Sequence, residues 1–137
     1  MLDTNVLSEL TRAEPALHVR EWISHYPLAE LFTTSVTVAE IRYGIARLPD
    51  GRRKTLLIEA ANRMFTRRFN GRILPFDWAA ADLYSEIRNG RKERGRPMSA
   101  PDAQIASIVA VHGADLATRN TRDFEGAGIT VINPWDA

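Results

Sequence analysis

Apolar residues recur along this chain in short blocks whose spacing alternates between that of strands and that of helices. Leu2 closes a very short apolar strand that ends on Asp3, and Val6, Leu7 and Leu10 then share one face of a short helix. A second helix follows Pro15, with Leu17, Trp22 and Ile23 facing inward. Leu31-Phe32-Thr33-Thr34-Ser35-Val36 reads as a buried strand. Thr37-Val38-Ala39-Glu40 opens the next helix, whose stripe of Ile41, Ile45 and Leu48 runs to Pro49-Asp50-Gly51, so Glu40 falls in the first turn after a strand. Residues 52–70 predict one long basic helix with Leu56, Leu57, Ala60, Met64 and Phe65 on its apolar side.

Beyond Gly71, Arg72-Ile73-Leu74-Pro75-Phe76 has room for only a small strand. Asp77 caps a helix carrying Ala80, Leu83, Tyr84 and Ile87, which is expected to dissolve at Asn89-Gly90 into a basic loop. Arg91, Lys92, Arg94 and Arg96 of that loop are candidates for contact with a nucleic-acid backbone. Ser99-Ala100-Pro101-Asp102 opens a strongly apolar, central helix that closes at Gly113. Ala114–Thr118 and Ile129–Ile132 are further strands, separated by a turn through Asn120 and Asp123. The alternation implies an α/β fold with a mainly parallel central sheet and helices on both faces, built as a single domain over residues 1–137.

Composition narrows the chemistry. With 45% hydrophobic residues among 137, the chain can bury a core without covalent help, and the absence of cysteine excludes disulfides, thiolate catalysis and thiolate-bound zinc. No apolar run is long enough for a membrane span and no secretion signal is legible, so a cytoplasmic location is the default. The net charge of +1 conceals segregation. Residues 1–50 carry four Lys/Arg against seven Asp/Glu, residues 51–96 twelve against five, and residues 97–137 two against five. Acidic ends and a basic middle suit a metal site beside a polyanion surface, although solvated helix faces produce similar runs.

Asp3, Glu40 and Asp102 are the acids that this topology brings to one sheet edge, together with Asn120 or Asp123. Each has a structural explanation on its own. Thr37-x-x-Glu40 fits a capping box, Asp102 suits a helix dipole, Asp3 can cap the first helix and Asp123 can be a solvated turn residue. Together they repel one another, and a cation is the economical remedy. An all-oxygen set without histidine favours Mg²⁺ or Mn²⁺, and such a site beside a basic surface suits phosphodiester hydrolysis. Asp3 and Asp102 are the first choices for direct ligands, and Glu40 either ligates or acts through water, with help as a base. Asn5, Thr118 and Asn120 are supporting residues, Thr118 and Asn120 suited to hydrogen-bonding water at the metal. His18, His25 and His112 read as surface or core-edge residues. Trp22, Trp78 and Trp135 can stack bases or form an interface, and none is assigned to catalysis.

Four segments resemble the signature segments of PIN-domain nucleases, in the family's order. They are Leu2-Asp3-Thr4-Asn5, Thr37-Val38-Ala39-Glu40, Pro101-Asp102-Ala103 with Ile105-Ala106, and Ala117-Thr118-Arg119-Asn120 with Asp123-Phe124. Ile73-Leu74-Pro75-Phe76 and Asn133-Pro134-Trp135 look most like the VapC toxins of bacterial toxin–antitoxin pairs, including their FitB-like branch. The resemblance implies a Mg²⁺- or Mn²⁺-dependent endoribonuclease, usually a homodimer, acting on RNA with tRNA among the candidates. It also implies a VapB-type (FitA-like) antitoxin that blocks the toxin, contacts DNA on its behalf and represses the shared promoter. By position, the metal acids are Asp3, Glu40 and Asp102. The family's fourth acid is Asn120 here, with Asp123 nearby, and an amide is the weaker ligand for a hard cation. Members often carry more apolar residues before the first aspartate, which implies a clipped first strand with Met1 a downstream start. Two other readings stand against this one: a binding or regulatory module that does not cut, and a related nuclease acting on DNA.

Overall fold

The computed structural model describes residues 1–137. Six helices alternate with short parallel strands: α1 (Thr4–Leu10), α2 (Leu17–Ser24), β1 (Thr33–Thr34), α3 (Ser35–Ala46), α4 (Arg52–Arg63), β2 (Ile73–Leu74), α5 (Trp78–Glu93), α6 (Ala100–Val111), β3 (Asp115–Ala117) and β4 (Thr130–Ile132). β1 pairs with β2 through Thr33↔Ile73 and Thr34↔Leu74, and β3 pairs with β4 through Leu116↔Val131. Leu2 joins these two ladders. It bridges Ala117 in parallel, its amide donates to the Phe32 carbonyl at 2.7 Å, and its own carbonyl accepts from Thr33 Oγ1 at 2.9 Å. The order is therefore β2, β1, Leu2, β3, β4, with the β1–β2, Leu2–β3 and β3–β4 pairs parallel and the chain leaving the centre first to one side and then to the other. A crevice beyond the carboxyl ends is the consequence of that reversal.

Alternate residues of β3 serve opposite faces. Ala117 packs with Leu2, Val6, Leu7, Val19, Ile41 and Phe65 under α1 to α4, while Leu116 packs with Ile105, Ala106, Val109 and Phe124 under α6. Helices thus cover both faces, as the sequence pattern predicts. α6 is the most buried helix, with Ala103 and Ile105 to Val109 all inaccessible, which confirms its central place.

The departures are local. Only Thr33 and Thr34 of the expected 31–36 strand are extended, because the Thr34 hydroxyl accepts from the Thr37 amide at 3.0 Å and starts α3 at Ser35. Thr37 is therefore inside the helix, no capping box forms at Thr37, and Glu40 lies in the second turn rather than the first. Leu17, expected inward, is 63% exposed, and Val19 fills that place. Leu56 is also exposed, and the expected 52–70 helix changes at Met64 to a π-turn (Met64–Arg68) that turns Met64 and Phe65 into the core. α5 runs past Asn89-Gly90 to Glu93, aided by an Asn89 to Glu93 side-chain bond of 3.1 Å, and Gly95 takes the left-handed turn at φ 73°.

Leu2 both links the ladders and is 1% exposed. Leu2→Ala is expected to cost about 2–5 kcal/mol in chemical denaturation; a loss below about 1 kcal/mol would show that the seam does not depend on it.

Candidate active site

Asp3 follows Leu2 at the carboxyl edge of the sheet and caps α1. One carboxylate oxygen accepts from the Thr4 amide at 2.8 Å, and the other accepts from Thr118 Oγ1 at 2.7 Å. Thr118 comes directly after β3 and is itself fully buried. Its hydroxyl oxygen also accepts from Asn5 Nδ2 and from the Asn120 amide, both at 3.1 Å. Asn5 Oδ1 in turn accepts from the Arg119 amide at 3.0 Å. This web clamps the start of α1 to the end of β3, so the supporting residues Asn5 and Thr118 sit beside Asp3.

Glu40 reaches the same edge from α3, where Thr4 Oγ1 donates to its Oε1 at 2.8 Å. Asp102 stands in the first turn of α6, whose start is capped by Ser99 Oγ accepting from the Asp102 amide at 3.3 Å. Asp123 lies in the turn Thr121–Phe124, and both it and Asn120 are exposed.

Burial is the main reason that the Asp3 carboxyl is pushed above its usual range. Hydrogen bonds from Thr118 and Thr4 oppose this, whereas Glu40 and Asp123 push further upward. Asp102 is raised for the same first reason; the Ser99 bond opposes it, Asp3 and Asp123 add repulsion, and Arg91 partly offsets them. Asp3, Asp102 and Asp123 therefore share one field, into which Glu40 enters through Asp3. None of the chain's three ion pairs involves any of the four.

A buried Asp3 and a half-buried Asp102 that repel each other and form no ion pair fit a hard divalent cation in donor type and in charge. As the side chains stand, no three of them close on a common point as a ligand cage. His18, His25 and His112 are all exposed and apart from the acids. A separate, mainly apolar cavity of about 470 Å³ beneath Met1 and Leu2 contains none of the site acids.

The basic tract differs from its expectation. Arg91 is 5% exposed and spends its guanidinium on the carbonyls of Arg96 and Asp123, both at 2.7 Å. Arg94 donates to the Gly126 carbonyl, and Arg96 pairs with Glu125 at 2.7 Å. These arginines fasten α5 to the turn bearing Asp123, because the helix continues where a loop was expected. Lys92 alone remains exposed and uncommitted. Sequence reasoning missed Thr4 as the holder of Glu40 and Arg91 as the internal cation near Asp102. Thr4 had a signal in its place beside Asp3, whereas Arg91 had none within a run of surface-like charge.

The PIN domain family model matches residues 1–128. The chain belongs to the PIN domain family. A VapC ribonuclease of Sinorhizobium fredii is 39% identical over 136 residues, covering 99% of this chain and 97% of the relative. Toxin FitB of Neisseria gonorrhoeae is 39% identical over 135 residues, with coverage of 98% and 97%. A solved structure of FitAB bound to a DNA fragment superposes with a TM-score of 0.90 at 40% identity, covering 98% of this chain and 94% of that one. PIN-domain VapC nucleases generally depend on divalent metal. The four segments that resemble PIN signature segments carry Asp3, Glu40, Asp102 and Asp123, together with Thr4, Asn5 and Thr118, which hydrogen-bond among them.

Arg91→Ala is expected to destabilise the fold by about 2 kcal/mol or more, because it strands two carbonyls that accept charge-assisted bonds. Lys92→Ala should stay within about 0.5 kcal/mol. Equal effects in urea denaturation would contradict this division of the tract.

Proposed function

We propose that this chain is a metal-dependent endoribonuclease of the VapC type, the toxin of a toxin–antitoxin pair. The observation that carries the reading is that Asp3 feels the charge of Glu40, Asp102 and Asp123, from distant segments, with none of the four in an ion pair and only Arg91 partly offsetting the repulsion at Asp102. Kinship with a VapC ribonuclease and with Toxin FitB, over almost the full length of each, supports the same activity.

Asp3 and Asp102 are the direct ligands in this reading, and Asp123 or Asn120 completes the set. A bound Mg²⁺ or Mn²⁺ supplies Lewis acidity at the phosphate and acidifies water. Thr4 fixes Glu40 Oε1, which leaves Oε2 to accept the proton of the attacking water. Water adds at phosphorus, one ester P–O bond breaks, and the products are a phosphate monoester and a free hydroxyl. Thr118 and Asn5 hold the Asp3 carboxylate in register, which is a positioning role. The structure of FitAB bound to a DNA fragment supports a FitA-like (VapB-type) antitoxin as partner; in this reading DNA is reached through the antitoxin and the chain acts as a homodimer.

Purified, antitoxin-free protein is expected to cut members of a tRNA and structured-RNA panel with Mg²⁺ or Mn²⁺ and not with EDTA. Asp3→Asn and Asp102→Asn should each lose at least about 100-fold in rate, and Thr118→Val about 10- to 100-fold. Absence of cleavage by the wild type under either metal, with RNA binding intact, would point instead to a binding module. Cleavage of DNA alone would change the substrate.

A further inference from the structure

The expected basic tract is spent on structure, so the cations that hold the substrate lie elsewhere. A cleft of about 720 Å³ opens at Glu40 and runs between α1 and α3 to the start of α4. Arg53 and Arg119 both line it, both are exposed, and neither belongs to an ion pair or donates a side-chain hydrogen bond within the chain. The Arg119 guanidinium carbon lies 4.9 Å from the centre of the Trp135 ring, and both residues line the cleft together with Glu9, whose carboxyl feels the Arg119 charge. A guanidinium binds phosphate oxygens at its edge or stacks a base on its face.

Two further observations extend the path. Thr11, at the end of α1, lines this cleft and also a second one of about 450 Å³, whose rim carries Arg63, Arg67 and Arg68. All three are exposed and form no ion pair. Gly44 lines the first cleft in the last turn of α3, and a Cβ there would meet nothing within 4 Å. Packing within the chain does not require glycine at that position, and glycine is a poor helix residue. Its smallness keeps the floor of the cleft low for an incoming backbone.

We propose that these two contiguous clefts form a track for single-stranded RNA, leading from the site acids along α1. Arg53 and Arg119 hold the nucleotides next to the scissile phosphate, and the Arg63–Arg67–Arg68 cluster holds those farther out. Two clefts that share Thr11 give a strand a path along α1, and five exposed guanidiniums outside any ion pair suit its phosphates. This inference rests on the ribonuclease reading for its substrate class, but its test does not require cleavage.

Binding of a 5′-labelled single-stranded oligoribonucleotide is followed by fluorescence anisotropy in EDTA over a range of salt concentrations. The proteins are the wild type, Arg53→Ala, Arg119→Ala, Arg67→Ala/Arg68→Ala and Gly44→Leu. Each arginine variant is expected to weaken binding about 5- to 10-fold and to lower the salt slope by about one for each cation removed. Gly44→Leu should weaken binding comparably while its melting temperature stays level or rises, which separates a blocked cleft from a damaged fold. Unchanged affinity and salt slope in these variants would overturn the track. If the wild type cuts RNA and the variants bind it normally, the track fails and the nuclease stands. If the variants bind RNA normally but no longer bind the antitoxin, the clefts belong to the protein partner and the track again fails. Weakened binding without wild-type cleavage would leave the track standing and remove the nuclease.

Discussion

A carboxylate placed where water scarcely reaches it governs this molecule. Asp3 is only 5% exposed, yet it stands at the seam where the two strand ladders meet. Burial disfavours its charge, and the hydrogen bonds from Thr4 and Thr118 only partly compensate. Those neighbours define the local architecture. Thr4 begins α1, Thr118 directly follows β3, and Asn5 ties the chain just after β3 back to α1. The stress of the buried charge and the precision of its placement thus arise from the same contacts, and in the proposed function a metal ion relieves the first without disturbing the second.

The other acids reach this point through equally ordinary devices. Side chains of Asp3, Thr34 and Ser99 cap α1, α3 and α6, so three helix starts are fixed at or near the sheet's carboxyl edge. Helix dipoles favour negative charge at Asp3 and Asp102, but burial outweighs them in both. Asp3 therefore both follows a strand and caps a helix. A structural role for Asp3 and Asp102 is compatible with the proposed chemical one, and the repulsion among the acids is what capping alone leaves unexplained.

Much of this was legible in the sequence because it rests on short-range rules. The apolar stripes of α3 and α6, the turn at Gly113 and the alternation of strand and helix follow from periodicity and local preference. Asp3, Glu40 and Asp102 stood out because topology sends strand ends and helix starts to one edge. What escaped depended on partners far away in the chain. The α5 extension through Gly90 is held by bonds from Arg91 and Arg94 to a turn some thirty residues later, which no local pattern displays. Thr34 displaced Thr37 as the cap because β1 stops after two residues, and strand length is set by pairing with β2. Arginine types look alike in sequence, so structural Arg91 could not be told from uncommitted Arg53 and Arg119 until their surroundings were known.

The central claim is that the carboxylate cluster is an electrostatic liability which a divalent cation removes. Thermal unfolding of wild type and Asp3→Asn at neutral pH, in EDTA and in excess Mn²⁺, tests it most directly. The account predicts that in EDTA the Asp3→Asn protein melts above the wild type, because a buried charge is gone and asparagine still caps α1. It predicts further that Mn²⁺ raises the wild-type melting temperature by several degrees and leaves the variant nearly unmoved. A variant that melts below the wild type in EDTA, together with a wild type indifferent to Mn²⁺, would contradict the account.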